Sequence, residues 1–254
     1  MTVESRHREC ICEHPTARTV VVFIHGVLGS PCQFQPYIQR LGDNVSFINL
    51  LLPGHGGTAK AFADSGMCKW QQYVDERICT LERRYDHIIL VGHSMGTLLA
   101  IQAAIRYPAR ICGLFLIATP LYVKMRKASV YTNLRVAFNR VNPENKADMA
   151  AQCGYSISDR LSLHQLRWIP RFIELLKKGS AVRNSLINLK IPIVAVQSEN
   201  DAVVNIKSIA ALHLALPDAE ILLLKKSGHF YFDEGEFARI LSCFESFVAD
   251  CIVV

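Results

Sequence analysis

The pentapeptide Gly92-His93-Ser94-Met95-Gly96 sets a hydroxyl between two glycines, directly after the apolar run Ile88–Val91. A serine hydroxyl is a poor nucleophile until a base takes its proton, and the base must in turn be oriented by an acid. The chain has nine histidines from which a base could come. His7 and His14 lie in a polar N-terminal stretch, His87 opens an apolar run, and His164 and His213 fall in helical patterns. His93 adjoins the serine, but neighbouring side chains diverge in a tight turn, which gives it a packing role. His229 differs, because KKSGHFYF sets it in a glycine-containing loop after the last apolar run, where an imidazole can reach inward. For the acid, QSENDAVVN offers Asp201, with Glu199 as the second choice. Asp233 stands too close in sequence to His229 to orient it. Ser94, His229 and Asp201 are therefore the candidate nucleophile, base and acid.

The elements that must bring these loops together are visible in the hydropathy. Thr19–Ile24, Val45–Leu52, His87–Val91, Ile111–Ala118, Ile191–Gln197 and Glu220–Lys225 are continuous apolar runs of strand length. Unbroken apolarity, rather than alternation, is expected of strands covered on both faces. Between them Trp70–Tyr85, Ser94–Arg106, Ile206–Leu216 and Glu236–Val248 read as helices. The last sets Phe237, Ile240, Leu241, Phe244 and Phe247 on one side. Strand alternating with helix predicts an α/β fold with a mainly parallel, doubly wound sheet. Function in such a sheet gathers at the carboxyl ends of the strands. Each of the three candidates follows a predicted strand. The exception is Leu121–Lys190, which breaks the alternation and reads as several helices inserted above the sheet. The prediction is one domain, 1–254, with a helical cap at 121–190 between core segments 1–120 and 191–254.

Attack on a carbonyl creates an oxyanion. Fixed backbone N–H dipoles suit it best, and losing one such donor costs roughly 3–4 kcal/mol of barrier. The N–H of Met95, directly after the serine at a helix start, is one predicted donor. FIHGVLGSP, after the run Thr19–Ile24, supplies the second from Val27, or from Leu28 if the loop runs one residue differently. His25 is expected to brace this loop by hydrogen bonds.

The pieces HGVLGS, LLPGHGGT, GHSMG, SENDAVV and SGHF stand in the order and spacing of the α/β-hydrolase superfamily, which the chain resembles over nearly its whole length. It is most similar there to small carboxylesterases and monoacylglycerol-lipase-like enzymes, which share the turn Pro53-Gly54-His55-Gly56. The resemblance implies the α/β-hydrolase fold and a Ser94–His229–Asp201 triad, with no metal or organic cofactor. It implies that Gly54, His55 and Gly56 shape a loop bordering the pocket. The activity implied is that of a serine hydrolase cleaving carboxylic esters through an acyl-enzyme on Ser94. Thioester, amide or carbon–carbon hydrolysis would use the same triad, and some ligand-binding proteins of this fold turn over slowly. A dehalogenase is disfavoured, because its elbow carries aspartate where Ser94 stands. The resemblance fades across Leu121–Lys190, where such enzymes vary the cap that selects their substrate.

Composition bounds the remaining classes. Half of the 254 residues are apolar and a fifth charged, as in ordinary soluble domains. No apolar run approaches the roughly 18 residues that suggest a membrane span. The polar N-terminal stretch reads as neither a secretory signal nor an anchor, which predicts a cytoplasmic protein. Nine cysteines, an odd number spread through apolar segments, do not read as a disulfide framework, and most read as small buried hydrophobes in a reducing cytosol. Cys10–His14 (CICEH) lacks a second ligand pair at zinc spacing and reads as an alternating N-terminal strand. The net charge of +6 is unevenly spread, since the cap interval has 13 lysines and arginines against 4 acidic residues. A solvated helical face accounts for that most simply. An anionic or lipid-derived small-molecule ester, or transient contact with an acidic membrane surface, would also suit it. No stacking platform or binding motif points to nucleic acid. Within the interval Leu121, Tyr122, Leu134, Phe138, Leu163, Leu166, Trp168, Ile169, Phe172, Leu175 and Leu176 could pack the cap on the core or line an acyl pocket, and most are expected to pack.

Overall fold

The computed structural model describes residues 7–124, 144, 149–150, 152, 154–157 and 167–253. Its strands are β1 (Cys10–Cys12), β2 (Thr19–Ile24), β3 (Val45–Asn49), β4 (His87–His93), β5 (Ile111–Ile117), β6 (Ile193–Ser198) and β7 (Glu220–Leu224). They form a seven-stranded sheet in the order β1-β3-β2-β4-β5-β6-β7. β1 pairs antiparallel with β3, and every other pairing is parallel. The described α-helices are α1 (Gln35–Ile38), α2 (Ala59–Ala63), α3 (Met67–Leu81), α4 (Met95–Arg106), α5 (Ile169–Ser185), α6 (Lys207–Ala215) and α7 (Glu234–Val253).

The period-2 geometry of a strand explains why the apolar runs are unbroken. Val20, Val22 and Ile24 of β2 enter one core with Trp70, Val74 and Ile78 of α3 and Leu98 and Ile101 of α4. Val21 and Phe23, pointing the other way, enter a second core with Tyr37 of α1 and Ile240, Phe244 and Phe247 of α7. β4 and β5 divide in the same manner. Fully burying such a side chain contributes about 1.5–3 kcal/mol, so a polar residue on either face of a central strand is strongly disfavoured. β4 is among these central strands, paired with β2 on one side and β5 on the other. Ser94 thus emerges from the middle of the sheet.

The strand boundaries depart from the hydropathy in one informative place. The run Val45–Leu52 continues past the end of β3 at Asn49. Leu50 N–H still donates to Phe23 O at 3.1 Å, but Leu52 N–H donates instead to His25 Nε2 at 3.1 Å. Leu50 and Leu52 remain fully buried, so apolarity persists after the ladder stops. At the N-terminus Cys10–Cys12 does form a strand, on Phe47–Asn49. Cys12 Sγ lies 3.5 Å from His14 Nε2, but among the described residues no group of three or more metal-ligating side chains gathers.

The last third of the interval 121–190 is bound to the sheet layer. α5 sets Leu175 and Val182 into the same core as α3 and α4. Leu121 and Trp168 are buried as well, whereas Ile169 and Leu176 are exposed, contrary to a packing role for them. Trp168 donates its indole N–H to Ala59 O at 3.0 Å. Arg167 pairs with Asp64 at 2.7 Å, and Arg171 pairs with Glu174 at 2.7 Å and donates to the Ser65 carbonyl. Lys178 reaches Gln71 Oε1 at 3.0 Å, and the Arg183 guanidinium sits 4.3 Å from the Tyr122 ring centroid. Several of the interval's cations therefore hold it to the core. Most of the interval before 167, Arg126 and Lys127 included, lies outside the described set.

Close approach at α5 yields a test. Alanine in place of a helix-interior glycine ordinarily gains about 1 kcal/mol. A Cβ on Gly179 would lie only 2.6 Å from Pro120 O, a backbone atom that cannot step aside. Gly179→Ala is expected to destabilise the protein by about 1–3 kcal/mol in urea unfolding, as overpacking does. A gain in stability would mean that α5 does not dock this closely.

Candidate active site

Ser94 has φ 52° and ψ −121°, a backbone conformation that L-residues adopt only under constraint. The surroundings supply that constraint. A Cβ on Gly92 would lie 2.6 Å from Thr97 N, and one on Gly96 would overlap the carbonyl oxygen of Ile24. Both positions must be glycine for β4 to turn into α4 in so few residues. Ser94 N–H donates to Ile117 O at 2.8 Å, and Thr97 N–H donates to Ser94 O at 3.0 Å, so the elbow is pinned on both sides. Strain of this kind costs about 1–3 kcal/mol and persists only where packing over-determines it.

The three predicted residues meet. His229 Nδ1–H donates to Asp201 Oδ2 at 2.8 Å, and the Ser94 hydroxyl donates to His229 Nε2 at 3.1 Å. All three are buried, at 4, 4 and 6% exposure for Ser94, Asp201 and His229. The other oxygen of Asp201 accepts from the N–H groups of Val203 and Val204, each at 2.7 Å. Burial would push this carboxyl up, but the attraction of His229 and the hydrogen bonds from His229, Val204 and Val203 outweigh it and hold the group below the ordinary carboxylate range. Asp201 is thus an ionised acceptor that dictates which imidazole nitrogen carries the proton. Glu199 bonds through its backbone N–H to Leu224 O, continuing the sheet edge. Asp233 accepts from Gly235 and Glu236 N–H at the start of α7.

Two groups hold the His229 loop. His93 Nε2–H donates to His229 O at 3.1 Å, so its role is structural, as its place beside the serine suggested. Burial, with His229 beside it, lowers its pKa to about 3, which keeps the ring neutral. Glu236 was not visible as a site residue in the sequence. Its carboxylate accepts from Lys225 N–H at 2.7 Å, Ser227 N–H at 2.9 Å and Ser227 Oγ–H at 2.6 Å. Ser198 completes the clamp by donating to Ser227 O. Only the folded turn brings this helix-start carboxylate onto the loop, and a glutamate in a first helical turn is too common to signal it.

The loop after β2 lies against the elbow, where a Cβ on Gly26 would be 3.0 Å from Ser94 Cβ. His25 braces it as expected, donating from Nδ1 to Gly26 O at 2.9 Å and accepting Leu52 N–H at Nε2. Burial lowers the His25 pKa to about 4 and leaves it neutral, as this bonding requires. Gly29 N–H closes a turn on Gly26 O at 3.0 Å, with Leu28 at φ 56° between them. Ser156 N–H holds Leu28 O at 3.0 Å. Val27 thus lies in the turn beside Ser94, and Met95 opens α4, where first-turn N–H groups have no intrahelical acceptor. His55, between the left-handed Gly54 and Gly56, packs its ring on His25, Phe62 and Trp70.

A central parallel sheet with a strained serine at the β4–α4 junction defines a hydrolase of the α/β-hydrolase fold. Residues 15–236 match the Hydrolase_4 model, described as serine aminopeptidase, S33, and the chain belongs to that family. Among its relatives, the hydrolase YugF of Bacillus subtilis is 23% identical over 85% of each chain. Mouse monoacylglycerol lipase ABHD6 is 18% identical over 85% of this chain and 71% of that protein. A solved structure reported with the metagenome-derived lipolytic enzymes LipS and LipT superposes with TM-score 0.74 at 22% identity, covering 96% of this chain and 98% of that one. The Paleococcus ferrophilus monoacylglycerol lipase gives 0.69 at 18% identity, over 95% and 98%. No helix among the described residues is long and apolar enough to cross a membrane.

The elbow strain predicts a gain in stability from a residue that loses the hydroxyl. Ser94→Gly frees the backbone from its Cβ penalty and is expected to raise the unfolding free energy by about 1 kcal/mol. Ser94→Ala keeps the Cβ and should leave the thermal midpoint nearly unchanged. Equal midpoints for the two variants would show that the conformation carries no such cost.

Proposed function

We propose that this chain is a serine hydrolase of carboxylic esters, acting through an acyl-enzyme on Ser94. The hydrogen-bonded series Asp201–His229–Ser94 is the observation that carries the reading. Asp201 fixes the proton on His229 Nδ1 and so leaves Nε2 free to take the proton of Ser94 as its oxygen attacks the ester carbonyl. The N–H groups of Val27 and Met95 receive the charge that develops on the carbonyl oxygen. His229 then returns the proton to the leaving alcohol, and a water repeats the cycle to release the acid. This sequence uses only groups of the chain itself. The names of the relatives, monoacylglycerol lipases among them, favour an ester as the bond. Cys10, Cys12, Cys68, Cys79, Cys112, Cys243 and Cys251 are free thiols, which supports placing the protein in the reducing cytoplasm. A small-molecule ester is the proposed partner, and the lysines and arginines not used in docking α5 would favour an anionic one or transient contact with an acidic membrane surface.

Purified protein assayed against p-nitrophenyl esters of graded acyl length, beside a matched thioester series, tests the bond and the chain length together. Turnover is expected with the esters, and Ser94→Ala should abolish it. A fluorophosphonate should label Ser94 in the wild type, and labelling of a different serine would refute the assignment.

Asp201→Asn keeps an acceptor for Val203 and Val204 but favours the wrong imidazole tautomer. It is expected to lower kcat by up to about 10⁴-fold, while Glu199→Gln changes little. The reverse ranking would make Glu199 the orienting acid.

A further inference from the structure

The register of β5 against β4 slips once. Ile88 pairs with Ile111 and Ile89 with Gly113, which leaves Cys112 as an extra residue in the ladder. A regular strand sends consecutive side chains to opposite faces, and a bulge interrupts that alternation. Ile111 and Leu114 enter the core under α3 and α4, whereas Cys112 packs against the core under α7. Gly113 faces α7 too, since a Cβ there would lie 2.7 Å from both Phe247 Cζ and Cys251 Sγ. Phe247 and Cys251 stand four residues apart on one face of α7, and both are buried. The missing side chain at Gly113 leaves the space that Cys251 Sγ takes, 3.9 Å from Cys112 O. The thiols of Cys112 and Cys251 are hydrogen-bonded to each other. A strand residue and a helix residue 139 positions apart thus present sulfur to sulfur.

The two sulfurs are not equivalent. Cys112 is partly exposed, while Cys251 is only 3% exposed. The hydrogen bond from the Cys251 thiol, with backbone contacts, holds the Cys112 thiol below its ordinary range against the opposing effect of burial. The same contact, with burial, pushes the Cys251 thiol well up. Burial and the nearby Glu220 push Cys243 up to about 11, so a lowered thiol is not the rule in this chain. A partly exposed thiol that favours its thiolate, next to a second thiol, is the arrangement that oxidises readily and reversibly. We infer that Cys112 and Cys251 are a modification site, at which hydrogen peroxide joins β5 to α7 by a disulfide. The Cys112 thiolate attacks one peroxide oxygen, the S–O bond forms, the O–O bond breaks, and the departing hydroxide takes up the thiol proton as water. The Cys251 sulfur then attacks the Cys112 sulfur. The S–S bond forms, the S–O bond breaks, and the Cys251 proton leaves with the hydroxyl as a second water. Two thiols lose two electrons in all, and one peroxide gains them. The new bond closes a long loop and so restricts the unfolded chain.

Treatment of the reduced protein with hydrogen peroxide, followed by alkylation and digestion without reductant, tests this by mass spectrometry. The Cys112 peptide should be found joined to the Cys251 peptide, and dithiothreitol should separate them. The oxidised protein should melt about 5–10 °C higher than the reduced one. Cys112→Ser and Cys251→Ser should each remove both the joined peptide and the rise in midpoint. In Cys251→Ser, dimedone should trap Cys112 as the sulfenic acid that finds no second thiol. Cys68→Ser, at an exposed thiol, should change neither result. Ser94→Ala should crosslink as the wild type does, so this outcome stands apart from the ester reading. Oxidised wild type without the joined peptide, or with Cys112 joined mainly to another cysteine, would overturn the proposal. An equal rise in midpoint for Cys112→Ser and the wild type would overturn it as well.

Discussion

The backbone at Ser94 is held at positive φ by neighbours that leave no room for it to relax, and the site is arranged around that constraint. β4 delivers the chain to the middle of the sheet, Gly92 and Gly96 let α4 fold back on it, and the Gly26 loop closes the remaining side. The hydroxyl then stands clear of both neighbouring residues, at a fixed height above the strand ends. A conformation that costs about 1–3 kcal/mol can be maintained only by a scaffold with stability to spare. The two apolar cores on either face of the sheet provide it.

His229 and Asp201 reach Ser94 because their loops are restrained differently from the elbow. Asp201 is immobilised by two backbone N–H groups of its own loop, so one oxygen is committed and the other is free to orient the imidazole. The His229 loop is closed on itself by Gly228 N–H donating to Tyr231 O at 2.8 Å. It depends on carbonyl capture by His93 and on the Glu236 carboxylate gathering the backbone before it. Three neutral, buried histidines thus surround or brace the elbow in addition to the base: His25, His55 and His93, all with lowered pKa values. Their neutrality follows from burial, which disfavours the charged ring.

The charge of the interval 121–190 has a divided meaning. Arg167, Arg171, Lys178 and Arg183 fasten α5 and its approach to α2, α3 and the turn after β5. Exposed pairs of this kind contribute little individually, so the burial of Trp168, Leu175 and Val182 does most of the fastening. The end of the interval packs α5 into the same core as α3 and α4. A single amphipathic helix looks the same in hydropathy whether it covers a sheet or sits above one.

How much the sequence by itself determined can be judged residue by residue. The six long apolar runs mark β2 to β7, because a strand covered on both faces cannot hide its composition, though β3 ends three residues before the apolarity does. Ser94, Asp201 and His229 were legible as candidates from residue type, neighbouring glycines and their place after strands, and the structure brings the three within hydrogen-bond distance. Tertiary structure alone decided that Leu52 satisfies its N–H on His25 and that Glu236 organises the loop of His229. Those facts depend on which groups from distant segments come within about 3 Å of each other. Hydrophobic periodicity records which face of an element is buried. It carries no record of which polar atom on another element will meet it there.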